Sequence, residues 1–185
     1  MLKTLLQLRT ELLHQNPWWE YRRDAYSLPD ESEGEYFYIH THGSAMIIPI
    51  TDEGKIVIIR QFRYLAQRVS TEFIGGGVKP GKSYEESAYE ELSEEAGLIA
   101  GEMTHIGGFN PMNGATDEIC NIYVARSLKR TTMRPERSEE FEVIELDYTT
   151  LCHSIADGTI WDGMTLAAFA LFRERRSVFF ATNPE

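Results

Sequence analysis

The first apolar pattern in the chain is a run of leucines. Leu2, Leu5, Leu6, Leu12 and Leu13 recur at helical spacing among Lys3, Arg9 and Glu11, which predicts an amphipathic helix over residues 2–15. Asn16-Pro17 would end it, and its leucine face would dock on the domain or on a second subunit. Residues 18–28 and 35–42 are rich in aromatics and flank a polar turn at 29–34, the signature of a hairpin. A second strand pair follows at 45–51 and 55–62, joined through Asp52-Glu53-Gly54. Its continuous Val57-Ile58-Ile59 suits a central strand buried on both faces. A short strand at 69–74 feeds three consecutive glycines, Gly75 to Gly77.

Ser83 followed by Glu86 forms a capping box, so a helix should begin there. Gly97 is a natural left-handed stop. At 100° per residue Tyr84, Ala88, Leu92 and Ala96 share one stripe, the expected buried face. Strands are then predicted at 104–109, 119–126 and 141–146, and helices at 149–156 and from Asp162 to about residue 175, with Asp162 as cap. Strands interleaved with a few helices give an α/β class with a mixed sheet covered on both faces.

The chain has 185 residues and a formal net charge of −11. That length suits one main domain, residues 44–185, with residues 1–43 as an N-terminal element. The acidity argues against a nucleic-acid backbone or an anionic membrane as partner. An anionic substrate would have to be met by a local basic patch or by a metal. Cys120 and Cys152 stand far apart, as reduced packing residues would. No apolar run is long enough for a signal peptide or a membrane span, so the cytoplasm is the expected location.

The acidic helix changes the picture. Glu91, Glu94 and Glu95 converge on neighbouring faces, and Glu95 falls on the buried stripe. Two carboxylates about 6 Å apart repel by roughly 3 kcal/mol at an effective dielectric near 20. Such a group needs a counter-charge or raised pKa values. A hard divalent cation with oxygen ligands supplies the first, and Mg²⁺ is the expected ion, with Mn²⁺ as a possible substitute. The bland alternative is a helix whose charges are simply solvated.

The same segment resembles the Nudix box, G-x5-E-x7-R-E-U-x-E-E-x-G-U with U aliphatic. Gly76, Glu91, Leu92, Glu94, Glu95, Gly97 and Leu98 fall in register. Lys82 stands where the pattern has Glu, and Glu90 where it has Arg. The opposite signs of these departures suggest either an ion pair with its charges exchanged or decay of the site. Further matches follow in order: Arg60-Gln61-Phe62-Arg63-Tyr64 with Glu72-Phe73, the loop 110–118, the acidic run 138–143, and 158–162 leading into the last helix. These resemble the ADP-ribose and nucleotide-sugar pyrophosphatases of that family.

The resemblance implies an α/β/α sandwich and Mg²⁺-dependent cleavage of a nucleoside diphosphate sugar, such as ADP-ribose or GDP-mannose, into a nucleoside monophosphate and a sugar phosphate. It implies Glu91, Glu95 and Glu94 as metal ligands, with the carbonyl of Gly75. Arg63 and Arg60 would grip phosphate, Glu118 would touch substrate, and Gly76 would allow close backbone approach. Glu139 would be the general base, with Glu140 second. The N-terminal hairpin, with Trp18, Trp19 and Tyr36, would cross to the partner in a homodimer. One alternative is a Nudix domain of reduced activity that senses such a ligand. A third is an acidic cation-binding protein with no nucleotide role.

Overall fold

The computed structural model describes residues 2–180 apart from 136 and 138. Among these residues ten strands and four helices follow in order: β1 Gln7–Gln15, β2 Glu20–Ser27, β3 Glu33–His40, β4 Ser44–Pro49, β5 Ile56–Arg63, β6 Arg68–Glu72, β7 Ile74–Gly77, α1 Tyr84–Ala96, β8 Leu98–Phe109, β9 Cys120–Arg130, β10 Glu142–Leu146, α2 Tyr148–Ala156, α3 Gly163–Arg173 and α4 Arg176–Phe179. None of the helices is long and apolar enough to cross a membrane.

A four-stranded sheet runs β7-β4-β9-β8, and a three-stranded sheet runs β10-β5-β6. The first is mixed, because β4 pairs parallel with β9 and antiparallel with β7. Strand alternation then divides the core in two. Met46 and Ile48 of β4 and Ile50 just beyond it, with Ile56 and Ile58 of β5, pack with Leu151 of α2 and with Ala168, Phe169 and Phe172 of α3. The intervening Ala45, Ile47, Val57 and Ile59 pack with Ala88, Leu92 and Ala96 of α1. Both faces of these strands are therefore covered, which is why they read as continuous apolar runs.

The helix expected over residues 2–15 is a strand. β1 pairs antiparallel with β2, which pairs with β3 to form a separate three-stranded sheet. All nine residues of β1 are exposed, so its leucines do not dock on the domain as expected. The extended form instead gains a backbone ladder and cross-strand ion pairs, Arg23 with Glu11 and Arg9 with Glu33. The hairpin expected after it is present as β2 and β3. Tyr36 Oη donating to the Gly114 carbonyl at 2.8 Å, and an isolated bridge between Ile39 and Thr116, tie this sheet to the main domain.

Helix α1 begins and ends as its sequence dictates. The Ser83 hydroxyl accepts from the Glu86 N–H at 3.2 Å, and the Glu86 carboxylate accepts from the Ser83 N–H at 2.8 Å. Gly97 closes the helix at φ 61°, a conformation that costs a side-chain-bearing residue more than glycine. The three glycines form β7 rather than a free loop, and lie against β4 with Gly75 opposite Met46 and Gly76 opposite Ala45.

Candidate active site

The site forms where β7 is crossed by α1. Gly75 donates its N–H to Glu95 Oε2 at 2.9 Å, which anchors a carboxyl that is only 5% exposed. Burial pushes the Glu95 pKa up to about 8. The Gly75 hydrogen bond opposes that shift, the neighbouring charges of Glu91 and Glu139 add to it, and Arg63 offsets it. Glu91 lies one helical turn before Glu95, and its carboxylate closes over Gly76. A Cβ at Gly76 would sit 2.5 Å from Glu91 Oε1, so any side chain there would displace the Glu91 carboxylate from this position.

A cavity of about 360 Å³ opens beside these groups. Of the residues singled out from sequence, Gly75, Gly76, Arg63, Glu95, Glu118 and Glu139 line it, and Glu91 reaches its edge through Gly76. Three others stand apart. Glu94 points to Lys79, with 3.8 Å between their charged atoms, so the expected convergence of three glutamates reduces to two. Arg60 is paired with Glu142 at 2.7 Å. Glu140 borders the groove that Arg60 shares with Phe62 and Glu142, outside the cavity. Among the described residues, no three His, Cys, Asp or Glu side chains stand close enough to enclose an ion as they are placed. Ser138, part of the acidic run that carries Glu139, lies outside the described residues.

The variant positions of the box are joined: the Lys82 ammonium contacts both carboxylate oxygens of Glu90. The exchanged ion pair therefore exists, and it ties the loop before α1 to the helix that carries Glu91 and Glu95.

The sequence reading missed several residues here. Glu72 is buried at 3% exposure and receives both Nε and Nη2 of Arg63, the former at 2.8 Å. Gln61 Nε2 donates to the same carboxylate at 3.2 Å. Ser44 Oγ donates to Glu118 Oε1 at 2.6 Å, fixing that acid at the cavity wall. His42 and Asp162, the latter expected only as a helix cap, also line the cavity, as does Trp18 of the N-terminal segment singled out above. The signal for Glu72 was a charged residue in a short buried strand, which demands a cation within reach. Cys120 and Cys152 are free thiols, and burial raises the Cys120 pKa to about 11, consistent with an inert packing role.

Comparison with known proteins adds the following. The NUDIX domain family model matches residues 40–167. The chain is 29% identical over 143 residues to an ADP-ribose pyrophosphatase of Bacillus subtilis (strain 168), covering 76% of this chain and 77% of that protein. It is 29% identical over 147 residues to a methanol dehydrogenase activator of Bacillus methanolicus, covering 78% and 80%. It is 24% identical over 131 residues to the ADP compounds hydrolase NudE of Escherichia coli (strain K12), covering 71% and 70%. The crystal structure of an ADP compounds hydrolase shares the fold with a TM-score of 0.82 over 97% of each chain, at 20% identity.

Proposed function

Because the chain belongs to the Nudix hydrolase family, its NUDIX domain spanning residues 40–167, we propose that it cleaves the pyrophosphate bond of ADP-ribose or a related nucleoside diphosphate sugar. The products are a nucleoside monophosphate and a sugar phosphate. The observation that carries this reading is one cavity lined by Glu95 on Gly75 and by the Arg63 guanidinium, with Glu91 against Gly76 at its edge. It unites a cation-binding wall with an anion-binding one.

The residues suit a divalent cation. All the donors are hard oxygens, which is the chemistry of Mg²⁺. The Gly76 backbone also leaves the space against Glu91 that a side chain would fill. Glu91, Glu95 and the Gly75 carbonyl would hold the ion, with Glu94 reaching it only after leaving Lys79. A bound Mg²⁺ supplies charge neutralisation on the diphosphate and activates a water for attack. Arg63 grips a phosphate oxygen, and Glu118, which lines the same cavity, meets the substrate. Glu139 takes the proton of the attacking water. Glu140 is second choice, since it borders the neighbouring groove. Trp18, at the cavity, offers a ring for the base to stack on.

A homodimer is part of the same proposal. The exposed β1, with Leu8 and Leu12 more than 45% exposed, is an open edge that a second copy would cover. We place the protein in the cytoplasm, in keeping with its two free thiols.

A second reading is regulatory, and one observation favours it: a relative of equal identity is named for activating a dehydrogenase. One experiment separates the two. Purified protein is given Mg²⁺ and a panel of ADP-ribose, GDP-mannose and other nucleotide sugars, and the products are resolved by chromatography. Conversion of ADP-ribose to AMP and ribose phosphate is expected, with loss of conversion in Glu95→Gln. Tight binding without products would favour the regulatory reading.

A further inference from the structure

We infer that Glu72 is a positioning residue that aims the Arg63 guanidinium at the diphosphate, an inference that rests on the function proposed above. The pair is lopsided. The Glu72 side chain is 4% exposed, whereas that of Arg63 is 50% exposed and lines the cavity. Glu72 takes the Nε and Nη2 edge of the guanidinium, so the Nη1 edge is what Arg63 presents outward. Gln61 braces the carboxylate from the neighbouring position on the same face of β5.

The rest of the cavity explains why such a brace is needed. Arg63 feels the negative charges of Asp162 and Glu95 as well as that of Glu72. A long cationic side chain at the end of a strand has many rotamers open to it. Left untethered, it would swing onto the other acids that line the cavity and occupy the space the substrate needs. A buried carboxylate in bidentate contact removes that freedom before substrate arrives and leaves the outward edge pre-oriented. Glu72 never touches the substrate; it acts through Arg63.

The test compares Glu72→Gln, Glu72→Asp and Arg63→Ala, singly and with Arg63→Ala combined with each Glu72 variant. Two readouts are taken with Mg²⁺: affinity for the non-hydrolysable α,β-methylene analogue of ADP-ribose by calorimetry, and KM and kcat for ADP-ribose. Thermal unfolding checks that each variant is folded, and the aspartate variant keeps the charge should the glutamine variant fail. In the Arg63 background, Glu72→Gln should weaken analogue binding and raise KM by about tenfold, the scale of one charge-assisted hydrogen bond, with kcat changed less. Glu72→Asp should fall between Gln and Glu. With Ala at position 63, the same Glu72 changes should leave affinity unaltered within about twofold. Equal losses in both backgrounds, or no change in either, would overturn the inference. Analogue bound but ADP-ribose left intact would sink the hydrolase reading alone, because the affinity ratios still decide the role of Glu72. A wild-type protein that does not bind the analogue would overturn both.

Discussion

Glu95→Gln should stabilise the metal-free protein at alkaline pH while abolishing turnover. In the folded chain the Glu95 carboxyl titrates at about 8, against an ordinary value of 4.5, chiefly because it is buried. The folded state therefore binds more protons than the unfolded state between those two values. Stability falls as pH rises through that window and the penalty is complete above it. Each pKa unit is worth about 1.4 kcal/mol, so ionising Glu95 costs the metal-free fold roughly 3 to 5 kcal/mol by pH 9. Glutamine mimics the protonated acid and can still accept the Gly75 N–H. The variant should match the wild type below pH 4.5 and exceed it by roughly 10 °C in Tm near pH 9, for a chain of this size. The assay is thermal unfolding in EDTA across pH 4 to 9, read as the difference between the two proteins so that other titrating groups cancel. Adding Mg²⁺ at pH 8 should raise the Tm of the wild type and leave that of the variant unmoved. A pH-independent difference, or a variant less stable at pH 9, would refute the argument that burial of this acid is held in reserve for a cation.

Three further outcomes follow from particular contacts. Lys82→Glu and Glu90→Arg should each cost about 1 kcal/mol or less in urea unfolding, as befits a half-exposed pair; the double change should restore stability, and additive losses would show that the pair is idle. Gly76→Ala would press a methyl group onto the Glu91 carboxylate, so the Mg²⁺ concentration for half-maximal turnover should rise about tenfold or more, roughly the loss of one charged ligand contact; an unchanged titration would remove Glu91 from the site. Light scattering should show a dimer, and deleting residues 1–15 should yield a monomer; a monomeric full chain would leave the exposed β1 edge without its proposed cover.

What could be read from the sequence was whatever is set locally or by burial on two faces. Helix α1 was legible from its capping box, its terminal glycine and one apolar stripe, all within a few residues of one another. Strands β4 and β5 were legible because the two clusters that sandwich them leave no polar alternation. β1 was misread because its leucine spacing fits a helix, and its actual partner, β2, is set by a ladder that spacing does not reveal. Arg60 and Arg63 were offered together for phosphate, yet a separation of three puts them on opposite faces of a strand. Only Arg63 faces the cavity, while Arg60 meets Glu142 across the β5–β10 ladder. Glu72 was overlooked because its cation is brought to it by the pairing of β5 with β6. Glu94 was grouped with Glu91 and Glu95, but its place on the flank of α1 turns it to Lys79.

The most direct measurement is anomalous diffraction from crystals soaked in Mn²⁺ with the α,β-methylene analogue of ADP-ribose. The account predicts a manganese peak bounded by the Glu91 and Glu95 carboxylates and the Gly75 carbonyl, with a phosphate of the analogue on the same ion. A cavity containing the analogue but no manganese peak, with both glutamates turned into solvent, would contradict it.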